Sequence, residues 1–478
     1  MLRMFSASSE TMAHARSSNE RLQGLAPSTV VGLVYLLWAL WVLRSTGHLS
    51  HWGTAEYLFS EFDSTGYRIL GDYIWSIGAT SAPRPSLVAL RPLGYPFVLG
   101  SYRWIGVFAF QSLQMASMAA SVGALHFVLA KIVGRVGALV AVTALAFLPG
   151  LVFMAPLAMT ETPAFVVSVA WLHGLWRFCD DRSRTTLLVL ASSVLVVLRP
   201  AFQPLLLLVL LTAGVSIARK RSCLSRTALG LSPLLVQLVL TASWTGRPTL
   251  AESGSSNFNS RFYPAVYAQQ ERGDWRRGIY KTKFAAYARQ KNPTLSQQVG
   301  YLRSHPKATW DAYKTILIDE HLRATSAAIS GSKIPANAKH QHRARGAWRA
   351  RTGEWNRNFA WAHAFALPLL ALGLVALRLR SRTIFAGLAS LAAAATLVVS
   401  APLVYFQGER VVAAAVPFWL FGYAALVAEC TRAVVKRLRE VRSAPKEHGT
   451  GLRLRAAALA RGARLKCLPL KTRARRLR

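Results

Sequence analysis

VVGLVYLLWALWV (30–42) and IGVFAFQSLQMASMAASVGALHFVLA (105–130) decide the fold. Neither run contains Asp, Glu, Lys or Arg, and each belongs to a segment long enough to cross a hydrocarbon layer of about 30 Å as a helix. Only a helix satisfies its own backbone hydrogen bonds within one segment there. Similar runs outward from these two place about ten spans, near residues 28–45, 104–130, 136–153, 161–178, 185–199, 202–218, 228–244, 361–377, 384–405 and 411–430. The 478-residue chain, 53% hydrophobic, therefore reads as an all-α polytopic membrane protein. Its first outer loop is expected to bear short helices, and a larger outer segment follows later. The first run is too long for a signal-peptide core and no small-residue cleavage site follows it, so it is expected to remain as an anchor.

Orientation follows from where the short connections carry Lys and Arg. One alternation gathers Lys131–Arg135, Arg177–Arg184, Arg219–Arg226 and Arg378–Arg382 on the same side as the tail from Arg432 onward, which holds 16 Lys/Arg against 2 Asp/Glu. That side reads as cytoplasmic and takes the N-terminal tail, residues 1–27. The chain then divides into a bundle (28–244) containing the first outer loop (46–103), an outer segment (245–360), C-terminal spans (361–430) and a basic cytoplasmic tail (431–478). The outer segment carries 20 Lys/Arg against 7 Asp/Glu, which long translocated segments tolerate. Within it, the amphipathic stretch Ala308–Leu322 after His305-Pro306 predicts a helix along the outer face.

The net charge of +38 does not make this a nucleic-acid protein. A topology signal and contact with anionic lipid headgroups explain the basic tail, with LRLRAAALARGARLKCL (452–468) as an interfacial amphipathic helix. Cys179, Cys223, Cys430 and Cys467 lie in or beside cytoplasmic connections, and none is expected to form a disulfide. No His/Cys cluster has zinc spacing, and neither a P-loop nor a GxSxG turn is present.

The polar residues expected at the outer face are few. Asp63 and Tyr67 stand in FDSTGY, Arg91 and Tyr95 in RPLGYP, Glu161 in MTETP, Arg199 in VLRPAF, and Glu409 and Arg410 in FQGERVVAAAVP. Each has a bland reading: arginines snorkel to the interface, and Glu161 suits the first turn of a helix through the helix dipole. Their shared face is what draws attention to them. Tyr263, Tyr267, Trp275 and Trp310 in the outer segment suit stacking on sugars, a small helical core or an interfacial belt.

In order and sidedness these motifs resemble the GT-C superfamily of integral-membrane glycosyltransferases, the mannosyl-, glucosyl- and aminoarabinosyl-transferases that use dolichyl- or polyprenyl-phosphate sugars. The likeness runs from Asp63 to about Phe418. Two departures stand out: Phe62 separates Glu61 from Asp63 where many relatives have paired acidic residues, and Val411 follows Arg410 where others have tyrosine. The first leaves Glu61, Asp72 and Asp63 open as the working carboxylate.

The resemblance implies a transferase at the outer face of the cell (inner) membrane. The donor would be a polyprenyl-phosphate sugar, and the acceptor a hydroxyl of a glycan, lipid or protein. It gives Asp63 the role of base toward that hydroxyl, and Arg199 and Arg410, with Arg91, the role of stabilising the departing phosphate. Glu161 would orient the acceptor or pair with an arginine, and Tyr67, Tyr95 and Glu409 would line the substrate site. Direct displacement would invert the sugar configuration. No cofactor is implied. A divalent metal is left open, since Asp63 is suited to bind one but no ligand set is legible. The rival reading is a transporter or flippase of a lipid-linked or anionic substrate, which would place polar groups at the bilayer midplane.

Overall fold

Every secondary-structure element among the described residues of this computed structural model is helical, and no strand occurs. Those residues are 26–60, 64–75, 88, 91–181, 184–219, 223–250, 258–276, 294–317, 381–404 and 408–443. They fall into two units, Met1–Ala428 and Glu429–Arg478. In the second, the helix continues to Ser443 and Arg432 pairs with Glu429.

Three helices are long and apolar enough to cross a membrane: α1 (Ala26–Ser45), the segment Val107–Ala146 that contains α6 (Val107–Thr143), and the segment Ala415–Glu440 of α17 (Gly408–Ser443). A fourth forms if α11 (Cys223–Gly230) and α12 (Ser232–Thr245) count as one span, bent by 50°. Pro233, near the start of α12, explains the bend, because it cannot donate to the preceding turn. The structure therefore supports a membrane protein with three or four such helices among the described residues, and the ten expected spans are not confirmed.

The reasons lie in individual segments. The expected span 136–153 breaks into a 3-10 turn (Ala144–Phe147) and the short α7 (Pro149–Met154), with Pro149 opening the new helix. The spans expected at 161–178, 185–199 and 202–218 are α8 (Glu161–Asp180), α9 (Thr186–Leu198) and α10 (Gln203–Arg219). At 13 residues, α9 reaches only about 20 Å, and it is buried over most of its length by α8, α10, α11 and α12. One stripe of it, Leu187, Leu190 and Val194, stays partly exposed. The span expected at 384–405 is α16 (Arg382–Val404), and the one expected at 361–377 lies outside the described residues.

The connection expected at Lys131–Arg135 appears as a break inside α6, where Gly134 (φ 77, ψ 169) adopts a conformation open mainly to glycine. Small residues bring α1 against α6: a Cβ on Gly123 would lie 2.5 Å from the Ser28 carbonyl oxygen, and one on Gly32 would lie 2.8 Å from that of Ala119. The Ser28 hydroxyl meets His126 Nδ1 at 3.0 Å beside this contact.

Between α1 and α6 lie a 3-10 turn (His48–His51), α2 (Ala55–Leu58), α3 (Ser64–Ile74), α4 (Gly94–Gly100) and α5 (Tyr102–Ile105), in and just beyond the stretch expected as the first outer loop. In the segment expected to lie outside, α13 (Tyr263–Arg272), α14 (Leu295–Ser304) and α15 (Pro306–Thr315) pack around Phe262, Ala265, Val266, Trp275, Ala308, Ala312 and Ile316. The first part of the expected amphipathic helix Ala308–Leu322 is α15, and residues 318–322 lie outside the described residues. Polar contacts between connections join segments expected on the same side: Arg382 pairs with Asp180, and Thr185 meets Thr227 at 3.3 Å.

Candidate functional site

Pro200 sets the geometry at the end of α9. The residue before a proline is biased away from the helical region, and Arg199 is extended (φ −156, ψ 119), which ends the helix. Its Nη1 donates to Glu161 Oε1 at 3.1 Å. Glu161 is the first residue of α8, as expected, so the carboxylate also stands at the positive end of that helix. Side-chain exposure is 2% for Arg199 and 4% for Glu161, so this is a fully buried ion pair.

Tyr95 connects the pair to α3. Its ring meets that of Tyr67 edge-on with centroids 5.1 Å apart, and the Arg91 guanidinium lies over the Tyr67 ring at 4.6 Å. The Tyr95 hydroxyl is buried without a hydrogen-bond partner. Burial foremost, then the negative charge of Glu161 and the neighbouring Tyr67, push its pKa well above 10, so it stays a neutral donor. Five expected site residues, Tyr67, Arg91, Tyr95, Glu161 and Arg199, are thus brought together.

Asp63 and Glu61 lie outside the described residues; Asp63 directly precedes Ser64, the buried first residue of α3. Glu409 and Arg410 fall in the first turn of α17, and their side chains lie outside the described residues. Asp72 is engaged elsewhere: Arg103 donates to both its oxygens at 3.0 and 2.9 Å, and the Tyr102 hydroxyl donates at 3.3 Å. Both Asp72 oxygens are thus already engaged by donors, so a base role for Asp72 would require this bridge to open. No group of three or more His, Cys, Asp or Glu suited to a metal occurs among the described residues.

Close approach of backbone to backbone positions the RPLGYP turn. A Cβ on Gly94 would lie 2.6 Å from the Val197 carbonyl oxygen of α9, so only glycine lets the start of α4 seat two residues from Arg199. Gly66 gives similar room beside the Arg91 guanidinium, at 2.9 Å from Nε.

Three glutamines missing from the expected site hold it in place. Gln111 of α6 accepts from Gly53 N–H at 2.7 Å and donates to the Pro156 carbonyl at 3.1 Å. One turn on, the Gln114 amide, oriented as its surroundings require, donates to Ala155 at 3.0 Å and Leu157 at 3.3 Å. Together with Ala158 N–H donating to the Leu58 carbonyl at 2.8 Å, these bonds fix the segment leading into Glu161. Gln237 of α12 accepts from Leu93 N–H at 2.9 Å and donates to the Leu250 carbonyl at 3.2 Å. The available signal was an amide inside an apolar run, which is costly unless paired. Gln111→Leu is expected to lower the thermal unfolding midpoint in detergent, by about 1–3 kcal/mol of stability for each buried backbone group left unpaired. An unchanged midpoint would show that the loop is held without this clamp.

Comparison of the chain with protein-family models, with curated proteins and with solved structures finds no match in any of the three.

Proposed function

We propose that this protein is a membrane glycosyltransferase that moves a sugar from a polyprenyl-phosphate donor to an acceptor hydroxyl at the outer face of the cell membrane. The observation that carries the reading is the cluster of Arg199, Glu161, Tyr95, Tyr67 and Arg91, gathered from four motifs next to the start of α3. Buried charge of this kind is costly in an apolar bundle and tends to mark function.

In the proposed reaction the acceptor oxygen attacks the anomeric carbon and its proton passes to Asp63. The bond from that carbon to the lipid phosphate oxygen breaks, and its electron pair stays on the phosphate. Cationic guanidinium groups stabilise that developing charge, and Arg91, which lies over the Tyr67 ring at 4.6 Å, suits the task. Arg199 already has Glu161 as counter-charge, so its role is to hold Glu161 and Tyr95 in register, or to change partner when the donor phosphate arrives.

The test uses wild type and Asp63→Asn purified in detergent, with radiolabelled polyprenyl-phosphate mannose as probe and a membrane extract as acceptor. Wild type is expected to release polyprenyl phosphate, and Asp63→Asn to be slower by about 10²–10⁴-fold while remaining folded. Equal turnover would remove Asp63 from the role of base. No turnover by wild type, together with movement of the lipid-linked sugar across proteoliposomes, would replace the transferase with a flippase.

A further inference from the structure

The outer segment carries a second feature, independent of the ion-pair site. Helix α15 has two apolar faces. Ala308, Ala312 and Ile316, spaced four apart, are buried in the core shared with α13. Pro306, Thr309, Trp310 and Tyr313 form the other face. With Phe258, Phe262, Val299 and Leu302 they line an open, almost wholly apolar groove of about 520 Å³. Trp310 is 60% exposed, and its ring stacks near that of Tyr313 at 5.9 Å. An indole left this open beside an apolar groove is the kind of surface that marks an interaction site.

Three observations select the occupant. The groove's far wall, the turn Phe258–Phe262, packs on α16, an apolar helix, so the groove is continuous with the bundle. Its basic neighbours Arg303, Lys307 and Lys314 are exposed, and the one acidic residue on α15 is Asp311. Aromatic rings beside lysines on an amphipathic helix are the chemistry of a membrane interface, where rings enter the acyl boundary and ammonium groups reach phosphates. We propose that this groove seats on the outer leaflet and takes the upper acyl chain of an anionic phospholipid, with Arg303, Lys307 and Lys314 on its headgroup. The outer segment is then a monotopic clamp on the bilayer as well as a connection between spans.

The test uses the full chain in vesicles, comparing wild type with Trp310→Phe so that the difference in emission isolates this indole among the 14 tryptophans. Vesicles are of phosphatidylcholine alone or mixed with phosphatidylglycerol, with bromine on the upper acyl chain. The expected result is loss of the Trp310 emission to brominated phosphatidylglycerol, with little quenching by aqueous iodide. In the Arg303→Gln/Lys307→Gln/Lys314→Gln variant the preference for phosphatidylglycerol is expected to disappear while quenching by brominated phosphatidylcholine persists. Quenching by iodide and by neither bromolipid overturns the proposal and returns the groove to water. Protection from both iodide and bromolipid also overturns it and points to a protein partner. Equal quenching by both lipids in wild type overturns the assignment of an anionic headgroup.

Discussion

Arg199→Met is expected to destabilise the folded protein by about 3–5 kcal/mol, because it leaves the Glu161 carboxylate buried without its cation. The measurement is the midpoint of thermal unfolding in detergent, followed by loss of monodisperse protein. The double variant Arg199→Met/Glu161→Leu is expected to recover most of that loss, since apolar side chains of similar volume replace a buried pair at little cost. If single and double variants are equally unstable, the pair is not what holds the ends of α8 and α9 together. The double variant also separates structure from chemistry. Folded protein without release of polyprenyl phosphate gives the pair a part in transfer, whereas folded and active protein makes it a structural tie.

Gly94→Ala carries the second large effect. Its Cβ would meet the Val197 carbonyl oxygen at 2.6 Å and the carbonyl carbon at 2.9 Å, and neither backbone atom can rotate aside. Relief requires α4 to move off α9, at a cost of about 1–3 kcal/mol. Tyr95 is the next residue, so its edge-on contact with Tyr67 moves as well. A shift of about 1 Å in a positioned group costs on the order of 10²-fold in rate, so release of polyprenyl phosphate is expected to fall far more than protein yield. Gly300→Ala is the control: it lies in α14 with nothing within 4 Å of its Cβ, and the same change is expected to leave stability equal or slightly higher. Wild-type turnover in Gly94→Ala would show that the RPLGYP turn is not part of the working site.

The sequence by itself determined the membrane class and the helical character. Runs such as 30–42 and 105–130 have no alternative that satisfies their backbone in lipid. It also determined local features that depend on near neighbours: Pro200 turning Arg199 out of the helix, Glu161 opening α8, and a helix after His305-Pro306. Tertiary structure alone decided the rest. Composition did not reveal that the short α9 is packed over most of its length by four other helices, because it is at least as apolar as the candidate spans. Partners far apart in the chain were equally hidden: Glu161 with Arg199, Tyr95 with Tyr67, Asp72 with Arg103, and Gln111 between Gly53 and Pro156. The physical reason is common to these cases. Hydropathy and helix propensity are properties of a residue and its near neighbours, whereas the pairing of a buried charge or amide depends on which helix ends meet in space.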